Sequence, residues 1–419
     1  MATYEFDDLR KTYHGFDDPI AIIKIGGKDI GNVKKGFPVS DLYIDLTSGY
    51  EASIAEFSIY DAYDKSTASF QISDMLKKYT TMGAKVEIAL GYGSSAKTVF
   101  VGAIMRINYR HGLEEVPCIR ITAMDVKGVM MASTYSRQLK ASCYSEAVLE
   151  ILEKSAYAGM QSSGMIESIN VTDTPDKNTS LGLRALSGGL GDLTGGLTEG
   201  LTNRNQTAGG FSNPAPDQEA AVTDRTIEMV AESDYEFIVK AAKRYNYEFF
   251  TECGNVYFRK AKADPNVRMT ITPEMGMYSF DISYDVTGLV SKVTVRATDA
   301  SRAQVISAAQ KNQNTLPGKA RNLIKGSEKV YIDSSVTSKE EAGYRAQSLM
   351  ETISYRFGSL ECELQGLPEY LPGYFMELSG LGTGVDNKFY VSRVIHQMTQ
   401  DGKYTVKLEG KAAGTKENR

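Results

Sequence analysis

The chain has 419 residues, a formal net charge of −5 and 42% apolar residues, and this length predicts two to four domains. It contains no run of about 18 apolar residues, so we expect no membrane span, and its acidic first ten residues do not resemble a secretory signal. The mild negative charge offers no electrostatic grip on nucleic acid, so we expect no specific nucleic-acid partner.

The first third of the chain is predicted to be β structure. Ala52–Tyr60 and Lys85–Leu90 alternate between apolar and polar residues, while Thr98–Ile107 and Cys118–Ala123 are rich in residues that favour strands. Gly91-Tyr92-Gly93, followed by two serines, predicts a turn between two of these strands. Short strands joined by Gly-rich loops are typical of a barrel or a sandwich.

The middle of the chain changes character. Ser145–Ser155 has the apolar spacing of a helix. Residues 181–216 are dominated by Gly, Leu and Thr and end in a Pro-rich segment, which disfavours helix and strand alike. We interpret them as a flexible insertion or partner-binding loop. A membrane-active segment or a plug of a central channel is the alternative, which the scarcity of basic residues disfavours.

The second half is predicted to alternate between helices and strands. Thr223–Tyr245 is predicted to be helical with a break near Ser233-Asp234, where Asp234 would cap the second part. A hairpin follows it, and a long helix is predicted over Ser338–Ser354. The remaining predicted strands and the polar stretch between them are Tyr247–Phe250, Asn255–Arg259, Asp281–Tyr284, Leu289–Ala297, the polar Ser301–Ser327 and the last sixty residues.

Two segments far apart in the chain share one pattern. Met82–Ile88, Gly91–Gly93 and Val99–Ile104 correspond to Pro372–Leu378, Gly380–Gly382 and Phe389–Val394. The matched residues are Gly83 with Gly373, Glu87 with Glu377 and Val101 with Val391 at an offset of 290, and Gly91 and Gly93 with Gly380 and Gly382 at 289. We infer two copies of one small β-barrel. Chance similarity of two hairpins is the alternative.

The predicted fold class is therefore α+β, with two β-barrels flanking a mixed α/β central region. The predicted domains are 1–134 (first barrel), 135–280 (central domain with the insertion 181–216) and 281–419 (a helix and the second barrel).

Residues that carry chemistry are sparse. His14, His111 and His396 lack neighbours at ligand spacing, and the four cysteines are far apart, so we expect no metal site and reduced thiols. No phosphate-binding loop or nucleophile elbow is present. Glu87 and Glu377 are better explained as equivalent strand positions than as a catalytic pair. We therefore predict a protein that is not an enzyme, with no catalytic residues and no cofactors.

A family resemblance rests on several motifs in order. The segments that resemble the closing barrel of the phage late control protein D family are Gly366–Leu378, Gly380–Gly382, Phe389–His396 and Gly402–Thr405. Glu232–Ile238 and the hairpin after it resemble that family's central domain, and Val293–Arg296 with the helix from Ser338 follow in the family's order. The resemblance extends from about Asp41 to Gly410, and the Gly-rich insertion departs from it.

The resemblance implies a baseplate hub of a contractile phage tail, a tailocin or an extracellular contractile injection system. It implies two tail-tube-like barrels per chain and a homotrimer, in which six similar barrels face the six-fold tube and the three-fold axis faces the spike. The implied partners are a separate spike or needle protein, the tail tube or its initiator, baseplate wedge proteins and the tape measure protein. The protein would be made in the bacterial cytoplasm and assembled into the baseplate. A type VI-like or non-contractile hub, or a tail-associated cell-wall hydrolase, is the alternative.

Overall fold

The computed structural model of the chain describes residues 3–30, 39–60, 63–70, 77–78, 80–112, 115–132, 134–177, 227–299 and 303–416. The Gly-rich insertion predicted over 181–216 lies outside these residues. No helix in the described ranges is long and apolar enough to cross a membrane.

Strands outnumber helices along the whole described chain. The first part contains α1 (Phe6–Thr12), β1 (Pro19–Ile25), β2 (Lys28–Asp29), β3 (Val39–Thr47), β4 (Ile54–Ile59), β5 (Tyr63–Asp64), β6 (Ser69–Phe70), β7 (Lys85–Tyr92), β8 (Ser95–Arg110) and β9 (Cys118–Met124). The middle contains α2 (Val126–Met130), β10 (Tyr135–Leu139), α3 (Tyr144–Leu152), α4 (Ser155–Ser162), β11 (Ser168–Val171), β12 (Ile227–Glu232), α5 (Asp234–Tyr245), β13 (Tyr247–Glu252) and β14 (Asn255–Lys260). The last part contains β15 (Val267–Ile271), β16 (Met277–Tyr284), β17 (Lys292–Asp299), β18 (Gln304–Lys311), α6 (Ala320–Leu323), β19 (Glu328–Ile332), α7 (Lys339–Ser354), β20 (Gly358–Gln365), β21 (Tyr374–Leu378), β22 (Asn387–Met398) and β23 (Tyr404–Ala412). Short 3₁₀ turns lie at His14–Phe16 and Pro273–Met275.

One large sheet contains two modules with the same strand order. In the first module the order is β3-β4-β9-β8-β7, and in the second it is β16-β20-β23-β22-β21. All of these neighbouring strands pair antiparallel. The sequence repeat therefore belongs to two copies of a five-stranded unit, which we call the first and second modules.

The two modules are joined edge to edge. Strand β22 of the second module pairs antiparallel with β3 of the first, so 13 strands form one sheet. The strand path through the described residues runs from β16 to β2 without closing on itself. The two barrels expected from the sequence are thus two connected parts of one sheet within an α+β fold, because a strand of each module pairs with the other module.

A shared apolar core covers one face of both modules. Strands such as β7 and β23 alternate between buried and less buried residues, as strands with one packed face do. Buried side chains from both modules form one continuous cluster that runs from Leu9 to Ala412. Burial on this scale is the main force that holds the two copies together.

The central region has its own core, which is built from helices on small sheets. Helices α3 and α5 pack with β10 to β14 around buried residues such as Phe237 and Phe249. Helix α5 is capped by Ser233, whose hydroxyl accepts from the Glu236 amide while the Glu236 side chain accepts from the Ser233 amide. The hairpin between β13 and β14 turns at Cys253-Gly254, where both φ angles are positive, as a tight two-residue turn requires.

Several sequence predictions differ from the folded chain. Ile227–Glu232 is strand β12 rather than the first part of a helix, because it pairs with β10 and alternates in burial, and the cap of α5 is Ser233 rather than Asp234. The polar stretch 301–327 contains β18, which pairs with β17 under α7. The boundary predicted at 280 divides β16, and β15 also pairs with the second module, so that module begins earlier.

Candidate functional site

Two glycines start equivalent strands of the modules in the same way. The amide of Gly83 donates to the Ile104 carbonyl at 2.8 Å, and the amide of Gly373 donates to the Val391 carbonyl at 2.8 Å. Their φ angles are +79° and +89°, a region that only glycine adopts freely. Gly83 and Gly373 therefore make the same backbone contact, one in each module.

Strand register changes one of the predicted matches. Glu87 lies opposite Val101, whereas Glu377 lies opposite Lys388 and Val391 lies opposite Tyr374. Because the Gly83 amide bonds the Ile104 carbonyl and the Gly373 amide bonds the Val391 carbonyl, Ile104 and Val391 occupy equivalent positions. The predicted match of Val101 with Val391 is therefore three residues out of register. The chain from Glu377 to its partner Lys388 is three residues shorter than the chain from Glu87 to its partner Val101, and this difference accounts for the mismatch.

The Gly-x-Gly segments also differ in structure. Gly91 lies within β7, where the Ser95 carbonyl leaves no room for a side chain, and Gly93 occupies a two-residue turn with φ +57°. Gly380 and Gly382 lie in a longer loop that is closed by Asp386, whose carboxylate accepts from the amides of residues 380 to 382. The two loops share composition but not conformation.

Glu87 and Glu377 each make ion pairs with different lysines. Glu87 lies 3.6 Å from the Lys24 ammonium and 3.5 Å from that of Lys85. Glu377 pairs with Lys416. The structure therefore does not bring these two carboxylates together as a pair.

The joint between the modules, strands β22 and β3, has a defined register. Arg393 lies opposite Thr47, Ile395 opposite Asp45 and His396 opposite Ile44. The Ser48 amide donates to the Ser392 carbonyl at 3.0 Å, which extends the pairing by one residue. The residues of this joint that face the shared core are buried: Leu42, Ile44, Leu46, Val394 and His396.

An ion pair crosses the joint on its other face. The Arg393 Nε donates to the Asp45 Oδ1 at 2.8 Å, and Glu409 lies 3.9 Å from the same guanidinium. The hydrogen bond to Asp45 raises the pKa of Arg393 above its ordinary value. This is a charge-assisted contact between residues 348 positions apart, and it favours the observed register of the two modules.

His396 is a structural histidine at the centre of the joint. Its Nε2 donates to the Tyr370 carbonyl at 3.0 Å, and its Nδ1 accepts from the Tyr404 hydroxyl at 2.8 Å. The imidazole is completely buried, and burial lowers its pKa to about 4. It is therefore neutral at physiological pH and serves packing rather than proton transfer.

The two outer ends of the joined modules carry unpaired strand edges. Residues 106–110 of β8 pair on one side with β9, and among the described residues no strand pairs with their other side. The same holds for β16, which pairs only with β20 in the described sheet. Large apolar side chains are exposed on both strands: Met105 and Tyr109 on β8, and Tyr278 and Phe280 on β16. We call these two strand edges the outer edges.

The central region is fastened to both modules by buried charges. Asp125 accepts from the Ser53 amide at 3.0 Å and from the Thr251 hydroxyl at 2.7 Å, which ties the first module to β13. Glu248 accepts from Tyr390 of the second module and pairs with Arg259 at 3.3 Å. Burial raises the pKa of Glu248, and both partners oppose that rise. These carboxylates have structural partners inside packed contacts, and within the described residues no cluster of His, Cys, Asp and Glu is arranged to hold a metal.

Sequence reasoning missed the joint and the outer edges. Asp45 and Arg393 carry no motif, and only the strand order brings them together. A usable signal was the alternation of Phe280, Ile282 and Tyr284, which parallels that of Leu42, Ile44 and Leu46.

Sequence comparisons identify few relatives. The profile of one family, the Alg8 N-terminal domain, matches residues 217–400, which is less than half of the chain and does not place the chain in that family. It is not the family whose resemblance the motifs suggested. The search of curated proteins finds no match.

Solved structures match over nearly the whole chain. A tail protein from Neisseria meningitidis MC58 has a TM-score of 0.59 at 12% identity, with 94% of this chain and 97% of that one covered. The 43 kDa tail protein of prophage MuSo2 from Shewanella oneidensis has a TM-score of 0.57 at 12% identity, with 94% and 98% covered. An E. coli component of the type VI secretion system has a TM-score of 0.51 at 10% identity, with 94% and 77% covered. The chain therefore has the fold of these proteins.

Proposed function

We propose that this protein is a structural subunit of a phage tail or a tail-like injection particle, and that it forms the baseplate hub between the six-fold tube and the three-fold spike. The duplicated module with its in-chain joint carries this proposal. The fold shared with two tail proteins and a type VI secretion component supports it.

Under this proposal, the duplicated module lets one ring match both the six-fold symmetry of the tube and the three-fold symmetry of the spike. Three chains with two similar modules each would present six similar surfaces to a tube that repeats six times. The same three chains would present a true three-fold axis to the spike. A head-to-tail contact of this kind closes into a ring when the rotation per step divides a full turn.

The proposal places the protein among particular partners. They are a spike or needle protein, the tail tube or its initiator, the baseplate wedges and the tape measure protein. The protein would be made in the bacterial cytoplasm, would act without a cofactor and would catalyse no reaction. Its role would be mechanical, because the buried charges of the described residues fasten the central region to the two modules.

Electron microscopy of the purified chain tests the ring. We expect end-on class averages with six lobes around a central opening and three-fold symmetry. Averages that show separate two-lobed particles at micromolar concentration, or rings without a three-fold axis, would contradict the proposal.

Antibody labelling of intact particles tests the position in the particle. We expect gold label only at the spike end of each tail. Label along the whole tube would assign the chain to the tube instead, and label on type VI-like or non-contractile assemblies would favour those alternatives.

The hydrolase alternative makes a separate prediction. A cell-wall hydrolase would release soluble fragments from purified peptidoglycan, whereas the hub proposal predicts release no greater than that from a buffer control.

A further inference from the structure

The strands that form the joint inside the chain are equivalent to the strands that form the outer edges. In the first module Tyr43, Glu56, Thr122 and Arg106 lie side by side across β3, β4, β9 and β8. In the second module Asp281, Glu361, Glu409 and Arg393 lie side by side across β16, β20, β23 and β22. The two rows cross equivalent strands, so β3 corresponds to β16, β4 to β20, β9 to β23 and β8 to β22.

A shared irregularity anchors this alignment. The pairing of β8 with β9 shifts between Ile104 and Arg106, and the pairing of β22 with β23 shifts between Val391 and Arg393. Such β-bulges are fixed features of a strand and not errors of pairing. Arg106 is therefore equivalent to Arg393, and Asp281 is equivalent to Tyr43.

This equivalence shows which strand pairing has no counterpart among the described residues. Within the chain, β22 of the second module pairs with β3 of the first. The corresponding strands are β8 of the first module and β16 of the second, and these two are the outer edges. Building on the proposed function, we propose that β8 of one copy pairs antiparallel with β16 of the next copy and so repeats the in-chain joint between chains.

The in-chain register then predicts the register between chains. His396 opposite Ile44 becomes Tyr109 opposite Ile282, and Val394 opposite Leu46 becomes Ile107 opposite Tyr284. Because Ser48 bonds Ser392, these predicted pairs exchange backbone hydrogen bonds, and Asn108 opposite Ser283 falls at a non-hydrogen-bonded position.

Side-chain chemistry fits this pairing. The equivalents of the buried joint residues are apolar or aromatic, and two of them are exposed in the single chain: Tyr109 is 51% exposed and Phe280 is 44% exposed. On the other face, Arg106 and Arg110 of one copy would lie opposite Asp285 and Asp281 of the next. Opposite charges across paired strands stabilise that register, and an exposed apolar strand edge in need of a partner is otherwise an aggregation hazard.

Disulfide trapping tests the register in the full-length chain. Non-hydrogen-bonded antiparallel residues have Cα atoms about 4.5 Å apart, within the range that a disulfide spans. We expect a chain carrying Asn108→Cys and Ser283→Cys to give covalent dimers and trimers on mild oxidation, and reductant to reverse them. The unchanged chain controls for the native thiols of Cys118, Cys143, Cys253 and Cys362.

Two further variants complete the design. Asn108→Cys with Ser279→Cys shifts one partner by four residues, about 13 Å along the strand, and should not cross-link. Asp45→Cys with Ile395→Cys at the in-chain joint should form an internal disulfide and shows that the oxidation works.

The outcomes separate the two proposals. If the internal pair oxidises but the pair at 108 and 283 cross-links no more than the shifted pair, the edge pairing is overturned. Light scattering of the same sample then decides the ring: a trimer leaves the hub proposal standing without this joint, and a monomer overturns both.

Discussion

Gly83 and Gly373 hold equivalent positions, but only Gly373 is enclosed. A methyl group at Gly83 would meet no atom within 4 Å, whereas one at Gly373 would lie 2.9 Å from the Phe250 ring and 3.0 Å from the Arg259 guanidinium. The central region packs on the second module at this point and leaves the equivalent point of the first module open. The two copies have therefore kept one turn and acquired different surroundings.

This difference predicts unequal costs for the same substitution. Gly83→Ala should cost about 1–2 kcal/mol of unfolding free energy, because a side chain is strained at positive φ. Gly373→Ala should cost about 1–3 kcal/mol more, because Phe250 is buried and Arg259 is tied to the Gly373 carbonyl at 2.6 Å. Chemical denaturation measures both, and equal losses would contradict the packing described.

The ion pair across the joint predicts a modest loss on Asp45→Asn. This change removes the charge that holds Arg393, whose side chain is 43% exposed, so we expect a loss of at most about 1 kcal/mol. Glu361→Gln is the matched control, because its pair with Lys407 is exposed on both sides. Denaturation should leave that control unchanged, and a larger effect at position 361 would refute the role assigned to Asp45.

His396 predicts a loss of stability in acid. Its folded pKa of about 4 lies below the ordinary value of 6.5, so the unfolded chain takes up the proton first. The stability that the neutral ring contributes is complete above pH 6.5 and is lost as the pH falls from 6.5 to 4, by about 3 kcal/mol in total at roughly 1.4 kcal/mol per pH unit.

The test compares the native chain with His396→Asn. The unfolding free energy of the variant should fall less between pH 7 and pH 4.5. The difference between the two pH profiles separates the effect of His396 from that of the carboxylates, which titrate in both chains. Parallel pH profiles would show that His396 does not titrate as described.

Tyr390 predicts a pH-dependent cost at the contact with the central region. Tyr390→Phe removes a hydrogen bond to buried Glu248 and should cost about 1–3 kcal/mol at pH 8. Burial raises the pKa of Glu248, so acid protonates it in the folded state and the cost should shrink toward pH 5. The exposed Tyr344 gives the control Tyr344→Phe, which should be neutral. A loss independent of pH would mean that the Glu248 charge is not what Tyr390 stabilises.

The sequence predicted the repeated unit better than its connections. The alternation at Lys85–Leu90 and the spacing around Gly83 and Gly373 depend only on neighbouring residues, so the sequence alone predicts them. The Arg393–Asp45 contact depends on pairing between strands 348 positions apart, which no local pattern encodes. The segment Ile227–Glu232 was assigned to a helix because its apolar residues suit either period, and only pairing with β10 decides for a strand.

The outer edges cannot be predicted from the sequence alone, for a related reason. Asp281–Tyr284 was predicted to be a strand, but its equivalence to β3 appears only when the cross-strand rows of the two modules are compared. Edge strands and paired strands share the same alternation, and exposure distinguishes them only in the folded chain.

The mass of the purified chain in solution, measured by light scattering across micromolar concentrations, tests the central claim most directly. A trimeric hub predicts a species of three times the 45.9 kDa chain mass. A single-chain mass that persists at every concentration would contradict a hub closed by repeating the joint between its modules.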